Sequence, residues 1–347
     1  MLVNYICKKY FLKCDQNTLR IHKRLRSLDK IWKTPWKKYV RHSQTHCPQI
    51  CGRGFGDYEV VRPGRVSAAR PVPAHIPRPP YVHGTEPEQR EAEVKTEQQV
   101  AGMRASCRLA RLVLDAAGRS LQAGRTTDEV DALVHTLIVQ HGAYPSPLGY
   151  HGFPKSVCTS VNNVACHGIP DDRPLRDGDL VNVDVTVFLH GFHGDCSETF
   201  LVGRVDEQGR HLARTTRECL RRAIALCRPG RLFCALGEEI EDTARAAGLT
   251  VVPAFAGHGI GTYFHGPPDI YHCYNSYEGR MAAGMTFTIE PVLAQGAPQV
   301  EVLEDGWTAV MLDGARAAQS EHTVLVTSSR AEVLTALGPT GLGRPLP

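Results

Sequence analysis

The sequence predicts an α+β fold built of two related halves. Two amphipathic helical stretches followed by strand-like alternation occupy Val94 to Val202, and the same order of elements returns from Leu212 to Val326. The chain of 347 residues, 42% apolar and 22% charged, has the composition of an ordinary packed protein and enough length to bury a large core. No apolar run approaches the roughly 18 residues that a membrane-spanning helix needs.

The N-terminal part reads differently. From Met1 to His42 there are 12 Lys or Arg against Asp15 and Asp29 alone, so the net charge of +4 is concentrated in an arm. That asymmetry argues against a nucleic-acid-binding face on the folded body. An acid-poor, Arg- and Lys-rich start suits a mitochondrial presequence, with a flexible basic tail on a cytoplasmic protein as the alternative. Residues 1–65 are therefore assigned to a poorly ordered leader, and the Pro-rich residues 66–93 to a linker. A folded domain is expected over 94–330, followed by a tail over 331–347. Within the arm, His42, His46, Cys47 and Cys51 have spacings a zinc ion could use, but they lack the two well-separated ligand pairs of a structural site. The 12 cysteines are dispersed, with no secretory signal in front, and read as free thiols in a reducing compartment.

In the first half, Val100, Met103, Cys107, Ala110, Val113 and Leu114 recur at helical steps. Thr126 with Glu129 forms a capping box for a second helix striped by Val130, Leu133, Val134, Leu137 and Ile138, which Gly142 is placed to end. Strands follow at Leu180–Phe188 and His193–Val202. In the second half, helices are expected over Leu212–Cys227, stopped by Pro229 and Gly230, and over Leu236–Ala247, stopped by Gly248. Strands return at Met285–Leu293, Trp307–Met311 and Glu321–Val326.

The strand patterns single out acids. Valines 181, 183, 185 and 187 share one face, which turns Asn182, Asp184 and Thr186 to the other. If Asp184 pairs opposite Asp195, the turn centre falls between 189 and 190 and the two carboxylates sit side by side, an arrangement that wants a cation. Met285, Phe287 and Ile289 alternate with Thr286, Thr288 and Glu290, placing Glu290 on the polar face of an apolar strand. Glu321 opens a strand whose other face carries Val324 and Val326. Four such acids without bases would each cost several kcal/mol, on the order of what a pair of divalent ions removes. His258, flanked by Gly257 and Gly259, is a fifth candidate ligand. One nitrogen and four carboxylates suit Mn²⁺, Fe²⁺ or Co²⁺ better than a thiolate zinc site, although Zn²⁺ stays open.

Several segments then resemble one family, in order: Cys166-His-Gly-Ile-Pro170, Asn182-Val-Asp-Val-Thr186, Gly194-Asp195, Gly257-His-Gly-Ile-Gly261, Phe264-His265, Thr288-Ile-Glu-Pro291 and Glu321-His-Thr323. From about Val94 to Thr327 the chain is similar to the type I methionine aminopeptidases. Ala143-Tyr-Pro-Ser-Pro-Leu-Gly149 and Ser197-Glu-Thr-Phe-Leu-Val-Gly203 bring it nearest a mitochondrial form. The resemblance implies the pita-bread fold, two pseudo-symmetric halves around a curved antiparallel sheet covered by helices. It implies that Asp184 holds one metal, His258 and Glu290 the other, and that Asp195 and Glu321 bridge both. His167 and His265 would face the substrate, and Tyr150, Cys158, Phe264 and Trp307 would line the methionine slot. Asn162, Val164 and Ala317 match backbone positions of a monovalent-cation site. Type II relatives carry a long insertion between the matches to His258 and Glu290, which this chain lacks.

The implied activity is removal of the initiator methionine from nascent or newly made proteins, with a small second residue preferred, by a hydroxide held between two metals. Glu290, alone or coupled with Glu321, would manage the proton. The implied protein is a monomer that contacts no nucleic acid, with ribosome association left open. Three positions depart from the family pattern: Phe153, Cys196 and Ser320. They touch substrate affinity more than chemistry, and Cys196 would be oxidation-sensitive if exposed. Proline-specific peptidases and a non-catalytic binding module share the implied fold and remain the rival readings.

Overall fold

Thr96 begins the first helix. Its hydroxyl accepts a hydrogen bond from the Gln99 N–H (3.3 Å), and the Gln99 side chain accepts one from the Thr96 N–H (2.8 Å). This reciprocal pair satisfies two of the donors that a helix start leaves open, and it sets the first turn slightly later than the apolar periodicity alone suggests. In the computed structural model, which describes residues 40–42, 54–84 and 89–336, helix α1 spans Glu97–Ser120 and α2 spans Thr127–Gln140. The Thr126–Glu129 capping box is present, and Gly142 takes the left-handed φ of 69° that lets the chain leave α2.

The two helices cover a sheet formed by β1 (Cys158–Val161), β2 (Leu180–Leu189) and β3 (Phe192–Leu201), with Tyr144–Pro145 at the edge of β2. Val181, Val183, Val185 and Val187 are fully buried against Leu109, Val113, Leu114, Val130 and Val134. Each such burial is worth about 1.5–3 kcal/mol relative to exposure. The same alternation aims Asn182, Asp184 and Thr186 away from the helices.

The β2–β3 register differs from the pairing expected from sequence. Leu189 faces Phe192, Thr186 faces Asp195 and Asp184 faces Ser197. The turn therefore lies at His190 and Gly191, whose φ values are 51° and 87°. A two-residue turn that matches strand twist needs positive φ at both central residues, and Gly191 supplies one without steric penalty. Asp184 and Asp195 stay on one face, as diagonal neighbours instead of a directly opposed pair.

The second half repeats the plan with α3 (Glu207–Leu226) and α4 (Cys234–Ala246). Asp206 caps α3 by accepting from Gly209 N–H at 2.7 Å, which starts that helix earlier than its apolar stripe. Strands β4 (Ala256–Gly259), β5 (Gly266–Tyr271) and β6 (Thr286–Ile289) follow, then β7 (Val292–Ala294), β8 (Ala317–Gln319) and β9 (His322–Val326). The stretch expected as one strand over 285–293 is two, interrupted at Glu290-Pro291, because proline has no N–H to continue a ladder. Strand β6 lies between β9 and β4, and its Phe287 packs with Leu212, Leu236, Ile240 and Val324 in a second core.

The halves are joined by polar contacts. Asn182 Nδ2 and Thr199 Oγ1 both donate to the Gln319 carbonyl (3.0 and 2.7 Å), and Glu321 N–H donates to the Ser197 carbonyl (2.9 Å). Thr323 Oγ1 donates to the Asp195 carbonyl (2.7 Å) and accepts from its N–H (3.3 Å). The polar face of the first hairpin is thus closed by the second half.

Residues 54–84, which composition assigns to the end of a leader and to a linker, lie along the domain instead. Val61 N–H donates to Asn163 Oδ1 (2.6 Å), Gly64 N–H to Asp171 Oδ2 (2.6 Å), and Arg70 pairs with Asp128 and Asp131 (3.0 Å each). Val72 and Ile76 are buried among Tyr144, Leu148 and Phe188. Sparse apolar residues at irregular spacing give no period to read, yet Val61, Val72 and Ile76 are buried against the body, while Val66 stays exposed. The side chains of His42, His46, Cys47 and Cys51 lie outside the described residues. No helix among the described residues is long and apolar enough to cross a membrane.

Candidate active site

Four carboxylates and a histidine converge where the halves meet. Asp184 and Asp195 come from β2 and β3, His258 from β4, Glu290 from the break after β6, and Glu321 from the residue before β9. Asp195, His258 and Glu321 each offer a ligand atom within 4.8 Å of the others. His258 Nε2 lies 3.6 Å from Glu290 Oε1 and 3.8 Å from Asp195 Oδ2. Asp184 is half-buried and hydrogen-bonded to Asp195.

Among the described residues, no lysine or arginine forms an ion pair with any of these acids; their one basic partner is His258. Burial raises Asp184 to about 7 and Glu290 to about 8, and burial together with the neighbouring acids pushes Asp195 and Glu321 well above the usual carboxylate range. Burial lowers His258 to about 4, so its imidazole is neutral at pH 7, as a metal ligand must be. A buried, mutually repelling carboxylate set with a neutral imidazole and no internal counter-charge fits divalent cations.

These side chains are held by neighbours. Thr186 Oγ1 donates to Asp195 Oδ1 (2.7 Å), and Thr288 Oγ1 donates to Glu290 Oε1 (2.8 Å) while accepting from His258 N–H (2.9 Å). Gln319 Nε2 donates to Glu290 Oε2 (3.2 Å), and the Glu290 N–H donates to His272 Nε2 (3.1 Å). Sequence reading placed Thr186 and Thr288 on the polar faces but gave them no task. Their position two residues from an acid on the same strand face was the available signal. Gln319 and His272 carried none, because only the fold brings them to Glu290.

Beside the acids stands an aromatic cluster. Tyr150 and Phe264 are buried, with Tyr81 and Trp307 packed on them. His265 Nδ1 is hydrogen-bonded to Tyr150 Oη (2.9 Å), and its ring lies 4.2 Å from that of His258. His167, with a positive φ of 55°, meets Trp307 edge-on at 6.1 Å; burial lowers its pKa to about 4. Cys158 approaches from β1, directly opposite Asp184. Phe153 is buried against Trp307 at 5.2 Å, and Ser320 is buried where β3 meets the second half, bridged to Glu198. Cys196 is fully buried with the valines of the first core, so the exposure that would make it oxidation-sensitive is absent. Asn162 and Ala317 are neighbours through a 2.9 Å hydrogen bond from Ala317 N–H to the Asn162 carbonyl.

The fold and this donor set define a metallopeptidase-type centre between two similar halves. Residues 101–328 match the model of metallopeptidase family M24. Among curated proteins, the chain is 51% identical to human methionine aminopeptidase 1D, mitochondrial, over 90% of this chain and 95% of that one. It is 56% identical to the mouse protein of the same name, over 81% and 84%. Among solved structures, it superimposes on methionine aminopeptidase from Rickettsia prowazekii with a TM-score of 0.69 at 39% identity, covering 71% of this chain and 100% of the other. The chain belongs to metallopeptidase family M24, among its methionine aminopeptidases. Its architecture is accordingly the pita-bread fold expected above, and the family binds divalent metal.

Proposed function

We propose that this chain is a metal-dependent aminopeptidase that hydrolyses the N-terminal methionine from other polypeptides. The observation that carries the reading is the convergence of Asp184, Asp195, His258, Glu290 and Glu321 beside an aromatic pocket, with no lysine or arginine paired to them among the described residues. Asp184 would hold one ion, His258 and Glu290 the other, and Asp195 and Glu321 both. Two divalent ions supply Lewis acidity there, acidifying a coordinated water and polarising the scissile carbonyl.

The chain's own groups do the rest. Hydrolysis adds the oxygen of water to the carbonyl carbon and delivers a proton to the departing amine nitrogen. Glu290, alone or coupled with Glu321, moves that proton, and Thr288 and Gln319 hold its two oxygens in place. His167 and His265, both neutral at pH 7, bind the peptide and stabilise the developing oxyanion. Tyr150, Phe264, Trp307 and the thiol of Cys158 provide an apolar, polarizable slot for a thioether. A small second residue is preferred.

The test compares Met-Ala-Ser, Leu-Ala-Ser and Ala-Pro-Ser peptides with Mn²⁺- or Co²⁺-loaded protein. Release of methionine alone supports the reading, whereas cleavage only before proline moves the chain to the proline-specific branch. His167→Ala should keep its metal content and lose turnover.

Mn²⁺, Fe²⁺ or Co²⁺ suits the oxygen-rich donors, with Zn²⁺ as the alternative, and a monovalent cation would sit on the carbonyls of Asn162, Val164 and Ala317. The basic arm and the names of the mitochondrial relatives support a mitochondrial address. We read the chain as a monomer acting on newly made chains, with ribosome association left open; the catalytic unit expected over 94–330 is extended by residues 54–84, which pack along it, and by Ala331–Val333, which pair with β9. N-terminal sequencing of the protein from fractionated organelles tests the address, and an intact Met1 in the cytosol would end it.

A further inference from the structure

We infer that Tyr81, carried by the segment that wraps the domain from residue 54 to 84, is a positioning residue of the methionine pocket. It lies ahead of the 101–328 stretch that matches the family model. The inference rests on the reading of the Tyr150–Phe264–Trp307 cluster as that pocket.

The segment presents this ring rigidly. Pro79 and Pro80 precede it with restricted φ, and the short 3₁₀ turn Pro80–His83 is closed by Gly84, whose φ of 73° is one that glycine adopts freely. The Gly84 N–H donates to the Tyr81 carbonyl at 3.0 Å. Upstream, Ile76 and Val72 are seated among Tyr144, Leu148 and Phe188, and Arg78 Nη2 ties back to the Val72 carbonyl at 3.0 Å. Tyr81 is thus anchored on one side by apolar burial and on the other by its own hydroxyl, which donates to the Ser146 carbonyl.

What the ring touches gives it a task. It meets Tyr150 edge-on, centroids 4.8 Å apart at 75°, and stacks toward His193 at 6.1 Å. Tyr150 is the residue whose hydroxyl holds His265 Nδ1 at 2.9 Å. His193 in turn lies parallel to Phe264 at 5.1 Å and is tied through Nδ1 to Ser146 Oγ at 2.9 Å. Tyr81 therefore backs both aromatic walls: Tyr150 directly, and Phe264 through His193. Its removal leaves Tyr150 free to tilt, which widens the pocket and loosens the histidine that faces the substrate.

The experiment uses the full-length, metal-loaded protein with Tyr81→Ala and Tyr81→Phe. An edge-to-face ring contact of this kind corresponds to about a three- to tenfold effect. Tyr81→Ala should lower kcat/KM for Met-Ala-Ser by about that factor, narrow the preference for Met over Leu, and weaken binding of free L-methionine measured by calorimetry. Metal content should stay at the parent value with only a small fall in Tm, and Tyr81→Phe, which keeps the ring contacts and loses only the bond to Ser146, should recover most of the catalysis and selectivity. If the parent releases no methionine, the functional reading has failed, and the calorimetric comparison still reports on the pocket. The inference is overturned if Tyr81→Ala keeps the parent selectivity and methionine affinity, if Tyr81→Phe is as impaired as the alanine variant, or if all substrates lose equally alongside a fall in Tm.

Discussion

Thr323→Val tests whether the contact between the halves holds Asp195, a proposed metal ligand, in place. Thr323 is fully buried, and its hydroxyl closes two hydrogen bonds on one residue: it donates to the Asp195 carbonyl at 2.7 Å and accepts from the Asp195 N–H at 3.3 Å. Valine has nearly the same shape but no hydroxyl, so it blocks water from replacing the bonds it deletes. Each buried backbone group left unpaired costs about 1–3 kcal/mol, and the longer bond belongs at the low end of that range. The expected loss is about 2–4 kcal/mol, read as a lower urea midpoint for the metal-free protein at unchanged m-value. Metal affinity should fall as well, since Asp195 is no longer held from the second half. Thr323→Ser keeps the hydroxyl and should recover most of the loss. A valine variant within about 0.5 kcal/mol of parent, or a serine variant equally destabilised, would refute the reasoning.

Three further outcomes are expected. Lys155 has a fully buried side chain that contacts Asp128, lies 3.8 Å from Asp131 and donates to Ser67 Oγ at 2.6 Å. Lys155→Met should destabilise by about 3 kcal/mol in thermal or urea melts, because Arg70 alone is left to balance two acids; a loss below about 1 kcal/mol would contradict this. In the metal-free protein, burial raises Asp184 to about 7 and Glu290 to about 8. The folded state then binds more protons than the unfolded one between about pH 4 and 8, so stability is fullest below that window and falls as pH rises through it. Binding of Mn²⁺ at pH 7 should release protons and remove that slope, and calorimetry in buffers of different ionisation enthalpy that finds no release would count against the carboxylate cluster as the site. Tyr150→Phe deletes the 2.9 Å contact to His265 and should lower kcat/KM about five- to tenfold with metal content unchanged; parent kinetics would remove Tyr150 from the positioning of His265.

Much of the fold was readable because its signals are local. The four valines of β2, the Thr126–Glu129 box and the glycines after α2 and α4 each act within a few residues. The acids were readable for the same reason: Asp184 and Asp195 lie on the polar face of a hairpin, and Glu290 and Glu321 lie directly beside apolar strands. Short strands such as Cys158–Val161 and Gly266–Tyr271 were missed because too few residues repeat in them to establish a period.

By itself, then, the sequence determined which valines turn inward, where the helices stop, and which strands carry an acid on or beside their polar face. Only the tertiary structure decided the hairpin register that makes Asp184 and Asp195 diagonal, the Thr323–Asp195 clasp across 128 positions, the use of Gln319 and His272 to hold Glu290, and the course of residues 54–84 to the aromatic pocket. Periodicity and capping are set by neighbours along the chain. These other features depend on which distant surfaces meet, and that is settled by packing.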